Sequence, residues 1–245
     1  GVGVNSGTDA LFLALKALGV GPGDEVVTVA NTAIPTVSAI ESTGARTRFV
    51  DIDPATFLMD PAKLEPVLNA NTRCILPVHL YGQCADMEAI NAIAVAKDIA
   101  VLEDCAQCHG ATQQGSPAGS LGAAAAFSFY PTKVLGAYGD AGGIITDDDE
   151  LAARLRRLRN HGQSRARKFW YDELGYNHRM DGFQGAVLGV KLPHLDAWNQ
   201  SRRRVAERYR QGLQNVEQIR LPAEADYAYH VYHLFVIRVP DREAL

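Results

Sequence analysis

Short apolar runs alternate along this chain with segments whose apolar residues recur at helical spacing. The runs Glu25–Val29, Thr47–Asp51, Arg73–His79, Ala100–Glu103, Ala124–Ser128 and Gly143–Thr146 are bounded by turn residues and read as strands. Met87–Ala96 places its apolar side chains on one helical face, as a helix covering a sheet does. Ala10–Leu18 is a strong helix-forming run, and residues 148–160 predict another helix. A long helix is expected from Met180 to about Asn215, bent near Pro193, because proline removes a backbone donor and crowds the preceding turn. Residues 162–179 are polar and aromatic without a period and read as a long loop. Strand and helix in alternation predict an α/β fold with a mostly parallel sheet flanked by helices. No internal repeat or low-complexity linker interrupts the pattern.

Composition narrows the function classes. A chain of 245 residues can bury roughly three quarters of its unfolded surface, ample for one large core. With 24 basic and 28 acidic residues, a net charge of −4 offers no electrostatic case for nucleic acid or an anionic membrane. Two basic clusters, Arg154–Arg159 and Arg202–Arg204, read as solvated helix faces, the first with the alternative of lying near an anionic nucleotide substrate. The sequence has no apolar membrane span and does not open on a signal-peptide pattern, so a cytoplasmic location is expected. Cys105 and Cys108 have the spacing of a redox pair, and His79, Cys84 and His109 are conceivable zinc partners. The second ligand pair of a structural zinc site is missing and Cys74 sits in an apolar run, so free thiols and no metal are expected.

Three places carry candidate chemistry. Lys133 follows the apolar run 123–130 and precedes the glycine-rich stretch 136–143. An amine delivered by a buried strand to a tight loop is poorly hydrated, which lowers its pKa and suits it to attack an aldehyde; the alternative is a solvated lysine after a strand. Asp104 ends another apolar run and precedes a polar turn, and strand ends of this kind collect ligands in open α/β sheets. An amine and a buried carboxylate in one pocket are what pyridoxal phosphate (PLP) chemistry needs. The third place is Asn5-Ser-Gly-Thr-Asp9 ahead of the helical run, where Ser6, Thr8 and Asp9 suit a helix N-terminus and Gly7 permits close approach of an anion. Simple capping is the alternative there. The glycines at 1 and 3 lack the spacing of a dinucleotide fingerprint, and no Walker-type loop occurs.

The strings NSGTDAL, GPGDEV, FVDID, HLYGQ, LEDCAQCHGA, FSFYPTK and YNHRMDGFQGAVL, in this order, resemble the DegT/StrS family of sugar aminotransferases, a branch of the fold-type-I PLP enzymes, over nearly the whole chain. The resemblance implies that Lys133 holds the cofactor aldehyde as a Schiff base and later moves the proton. It implies that Asp104 pairs with the pyridinium nitrogen, that Gln107 hydrogen-bonds the ring hydroxyl, and that Gly7, Thr8 and Ser128 hold the phosphate. Asn177 would reach the phosphate of a neighbouring subunit, which makes the active unit a homodimer. The implied reaction moves an amino group from an amino acid, L-glutamate, to a keto group of a nucleotide-linked sugar or an amino-cyclitol precursor. Residues 1–190 would form the cofactor-binding large domain, and residues 191–245 the connecting helix and the start of a smaller α+β domain.

The chain departs from its relatives at Ala33, where many carry an aromatic residue over the cofactor ring, and at Val134 and Ala141, where asparagine and glycine are common. It opens inside the phosphate-seat motif and ends soon after His230–Val239, so relative to the family it is expected to be truncated at both ends. Two rival readings remain. A sugar dehydratase of the same family would replace the lysine with histidine, and a non-catalytic or regulatory protein would keep the pocket without turnover. Lys133 argues against the first. His161, Tyr81 and Tyr138 are further pocket candidates without an assigned role.

Overall fold

A computed structural model describes residues 1–164 and 166–243. Arg165, within the expected loop, and Ala244 and Leu245, at the end of the expected second domain, lie outside the described residues.

In chain order the elements are β1 (Val2–Val4), α1 (Gly7–Ala17), β2 (Glu25–Val29), α2 (Ile34–Ser42), β3 (Arg46–Val50), β4 (Thr72–Ile75), α3 (Met87–Ala96) and β5 (Ala100–Asp104). They continue with β6 (Thr112–Gln113), β7 (Ser116–Pro117), β8 (Ala124–Ser128), β9 (Gly142–Ile145), α4 (Asp149–Leu158), α5 (Gly182–Lys191), α6 (Leu195–Leu213) and β10 (Ala228–Tyr229). The main sheet has seven strands in the order β1-β9-β8-β5-β4-β2-β3. β8, β5, β4, β2 and β3 pair in parallel, whereas β9 runs antiparallel to both β8 and β1. Two reversals cancel, so β1 points the same way as β8. The carboxyl ends of β1, β5 and β8 therefore share one edge, and α1 starts there.

The central strands β2, β4, β5 and β8 are mostly buried, whereas β3 at the edge is mostly exposed. The largest cluster of buried side chains joins β1, β2, β4 and β5 to α1, α3 and α4, and it includes Leu13, Leu15, Val26, Val27, Ile75, Leu102 and Ile144. α1 is capped by Ser6, whose Oγ accepts from the Asp9 amide, and it buries Ala10, Leu11, Leu13, Ala14 and Leu15. α4 shows a sharper division: Leu151, Ala152, Leu155 and Leu158 are buried, while Arg154 and Arg157 are part-exposed and pair with Glu173.

Most expected elements are present within a residue or two. The run Arg73–His79 is a strand only as far as Ile75, because Pro77 has no amide to continue the ladder. The expected long helix is interrupted: α5 ends at Lys191, a 3-10 turn spans Leu192–His194 around Pro193, and α6 follows. β1 and α2 were not expected. β1 is three residues long, and α2 opens on Ile34-Pro35, where proline occupies the first helical turn without cost. The described residues of 162–179 lack helix, as expected, but are tied by isolated bridges between Gln163 and Tyr171 and between Asn160 and Asn177. A small second sheet, β10-β6-β7, brings the chain beyond α6 back to the main body.

The start of β9 lies between the ends of β1 and β8, with Gly142 paired to both Val4 and Ser128. A Cβ at Gly142 would collide with the Ser6 carbonyl oxygen. Gly142→Ala is therefore expected to lower stability by about 1–3 kcal/mol. Gly189 lies inside α5 with nothing within 4 Å of its would-be Cβ, so Gly189→Ala is expected to raise stability by about 0.5–1 kcal/mol. Chemical denaturation of both variants measures the contrast, and equal effects would show that the Ser6 contact is not tight.

Candidate active site

One cavity of about 240 Å³ opens at the shared strand edge. Its wall gathers Gly7 and Thr8 from the start of α1, Asp104 and Gln107 from the end of β5 and the turn after it, Ser128 from the end of β8, and Lys133 from the β8–β9 connection. Six of the seven expected site residues thus meet in one place. Asn177 does not: it is exposed and bridges Asn160. Its segment is tied to α1 through His178, whose Nδ1 lies 3.1 Å from Asp9 Oδ1.

Asp104 is buried at 4 % exposure, and burial pushes its carboxyl above the usual range. The Ala106 amide donates to Oδ1 (3.1 Å) and the Thr36 hydroxyl to Oδ2 (2.8 Å), and these, with the charge of Lys133, pull the other way. Lys133 is half-buried, and burial lowers its amine from the ordinary lysine value against the opposing charge of Asp104. The electrostatics suit a nucleophilic amine beside a carboxylate that still needs a cationic partner.

The start of α1 is set by close packing. A Cβ at Gly7 would stand 2.5 Å from Ser128 Cβ, so only glycine lets the first turn of α1 lie against β8. The Asp9 amide is taken by Ser6 Oγ and the Ala10 amide by the Ser6 carbonyl. The Gly7 and Thr8 amides, at the positive end of the helix, have no such intrahelical partner. Ser128 is buried at 9 % exposure, with its Oγ 3.4 Å from the Tyr130 amide.

Sequence reasoning missed Thr36, Thr32, Tyr130 and Asp140, which also line the cavity. Thr36 had a readable signal, a hydroxyl among apolar residues in Ile34–Ile40, but its partner is 68 positions away. Thr32 Oγ1 lies 2.8 Å from Thr36 Oγ1 and extends the contact to the rim. Ala33 and Ala141 are wall residues, whereas Tyr81, Tyr138 and His161 are not among them.

The thiols behave as apolar groups. All four cysteines are buried and free; burial pushes Cys74 up to about 12 and raises Cys84, Cys105 and Cys108 as well. His79, Glu103 and Cys105 offer ligand atoms within 4.8 Å of one another. Both nitrogens of His79 are already engaged, Nε2 with Glu103 and Nδ1 with the Ala85 amide, so the group is closed by hydrogen bonds. His109 packs beside Phe127 and Phe129, with ring centroids 5.5 and 5.6 Å apart, and burial pushes its imidazole down to about 3.

A mostly parallel sheet flanked by helices, with an amine, a buried carboxylate and the amino end of a helix at its carboxyl edge, is the fold of the fold-type-I aminotransferases. The comparisons agree: residues 1–245 match the DegT/DnrJ/EryC1/StrS aminotransferase family, and the chain belongs to it. It is 50% identical to a pleiotropic regulatory protein of Geobacillus stearothermophilus, covering 100% of this chain and 66% of that protein. It is 48% identical to the dTDP-3-amino-3,4,6-trideoxy-alpha-D-glucose transaminase of Micromonospora megalomicea subsp. nigra, with the same coverage of 100% and 66%. The crystal structure of S. venezuelae DesV in complex with a ketimine intermediate superposes with a TM-score of 0.96 at 45% identity, over 99% of this chain and 65% of that one. The chain spans about two thirds of the length of these relatives. Among the described residues, no helix is long and apolar enough to cross a membrane.

An acid whose pKa is higher folded than unfolded binds more proton in the folded state. The stability Asp104 contributes is thus full below its unfolded value near 3.8 and is lost as pH rises through the folded value. In the protein without cofactor, Asp104→Asn is expected to gain stability relative to wild type as pH rises from about 4 to about 8. Urea denaturation across that range reads the difference; a trend in the opposite direction would mean that the carboxylate is stabilised without any ligand.

Proposed function

We propose that this protein is a PLP-dependent aminotransferase that moves an amino group from an amino acid, L-glutamate, to a keto group of a nucleotide-linked sugar. The observation that carries the reading is the cavity itself, where a lysine made less basic by burial shares a wall with a buried carboxylate and the amino end of a helix. The donor set fits PLP by its chemistry: an amine for the aldehyde, a carboxylate for the ring nitrogen, and amides with two hydroxyls for the phosphate. The acceptor class rests on the named activity of the transaminase relative, which acts on a dTDP-linked sugar.

In this reading Thr8, Ser128 and the amide of Gly7 bind the phosphate. Asp104 keeps the ring nitrogen protonated and gains there the charge partner that its burial otherwise lacks. Gln107 donates to the ring hydroxyl oxygen. When bound, PLP supplies an electron sink that eases loss of a proton from the substrate carbon bearing nitrogen. Lys133 would hold the group at its aldehyde and, when displaced by the donor amine, its Nζ would serve as the base and acid that moves the substrate proton, in both directions of the exchange. Asn177, exposed and outside its own cavity, serves the site of a second copy, so the working unit is a homodimer.

The regulatory name of one relative favours a second reading, a protein that binds cofactor and does not turn over. Adding PLP is expected to give a visible absorption band that is absent in Lys133→Ala and bleaches with L-glutamate. Turnover in Lys133→Ala should fall by about 10²–10⁴-fold or more. Because both half-reactions share one site, initial-rate lines should be parallel; intersecting lines would sink the scheme. A lysine-dependent band that glutamate leaves untouched would favour the regulator.

A further inference from the structure

Glu103 precedes Asp104 in β5 and therefore faces the other side of the strand. Its side chain has no exposure, yet its oxygens are fully engaged. Oε1 accepts from the amides of Leu121 (2.8 Å) and Gly122 (2.7 Å), and Oε2 accepts from the Gly119 amide (2.8 Å) and from His79 Nε2 (2.8 Å). Burial alone would raise this carboxyl, but the hydrogen bonds from His79 and the amides outweigh it and hold the pKa below the ordinary value. His79, also without exposure, accepts the Ala85 amide at Nδ1 (3.0 Å), which makes it the Nε2–H tautomer.

The pair reaches the cavity by two routes. The first is the backbone: the His79 amide donates to the Asp104 carbonyl (3.0 Å), and the Asp104 amide donates to the Pro77 carbonyl (2.9 Å). The second is the turn that follows His79, Leu80–Gly82, in which Tyr81 takes a left-handed φ of 61°. A bulky residue holds that conformation only where its surroundings impose it. His79 clamps the turn from both ends, to β5 by its own amide and to Ala85 by its ring. The Tyr81 amide so placed donates to Gln107 Oε1 at 2.7 Å. That contact engages the carboxamide oxygen and leaves the NH₂ as the end available to the cavity that Gln107 lines.

We infer that His79 and Glu103 are positioning residues that act through the Tyr81 amide to fix Gln107 as a hydrogen-bond donor toward the cofactor ring oxygen. The inference rests on the proposed PLP site. It gives the buried acid and imidazole a task that packing alone does not require, and it explains why two adjacent acids end one strand: one faces the ligand and the other anchors the turn that orients its neighbour.

A double-mutant cycle on PLP affinity tests the link, with far-UV circular dichroism checking the fold. His79→Asn keeps an acceptor near Nδ1 and loses the contact to Glu103; His79→Gln does the reverse. Each, and Gln107→Ala, is expected to weaken PLP binding roughly tenfold. Each double variant with Gln107→Ala should bind no more weakly than Gln107→Ala alone. Additive losses, or no loss in Gln107→Ala, overturn the inference, as does unfolding of both His79 variants, which would assign the pair to the sheet. A second readout needs no cofactor: the Tyr81 amide, hydrogen-bonded to Gln107 Oε1 in the wild-type protein, should exchange faster in both His79 variants. Unchanged exchange breaks the link even if PLP binds as proposed. If wild type shows no Lys133-dependent band while exchange responds as expected, the cofactor reading fails and the clamp on Tyr81 stands.

Discussion

Everything at the working edge hangs on the end of β5, where two carboxylates are buried back to back. Strand alternation gives them opposite faces, and their surroundings give them opposite electrostatic fates. Glu103 receives four hydrogen bonds and is held as an anion. Asp104 receives two and is pushed toward its neutral form by burial. The first anchors the connections on either side of the strand; the second is left with an unmet demand for positive charge. The cavity wall made this way is saturated with hydrogen bonds on one face of the strand and short of positive charge on the other.

The same contrast separates stability from activity. A buried, undersupplied carboxylate and a desolvated lysine each oppose folding at neutral pH, since each disfavours the charged state that water would support. The large apolar cluster beneath the sheet offsets this, and it is built from ordinary strand and helix residues far from the chemistry. Thr36 and the Ala106 amide limit the penalty on Asp104 without abolishing it. The fold thus keeps its strain at the cavity and its reserve in the core.

Much of this was legible in the sequence where the signal was local. The runs at Glu25–Val29, Ala124–Ser128 and Met87–Ala96 have the boundaries the pattern predicts, because apolar period and turn residues agree there. Lys133 and Asp104 were legible by their positions after apolar runs, and Gly7 and Thr8 by the composition of a helix start. What was not legible depends on partners distant in the chain. β1 is too short to show a period and exists because β9 pairs with it. Thr36 matters through Asp104, and Glu103 through His79, 24 positions earlier. Asn177 was named from a family resemblance, and within one chain it has no place in the cavity.

Within the main sheet, the antiparallel β9 limits how the cavity can vary. Because β9 reverses beside β8, the segment carrying Lys133 is a return loop rather than a crossover. It is stitched across its base by the Phe129 amide on the Ala141 carbonyl and within itself by the Ala137 amide on the Phe129 carbonyl and the Lys133 amide on the Tyr130 carbonyl. A residue added or removed there would displace the amine relative to the acid on β5, so the loop has no freedom of length. The wall of the cavity can change without moving the amine only in the other connections that open on the same edge, with the lysine loop as their fixed reference.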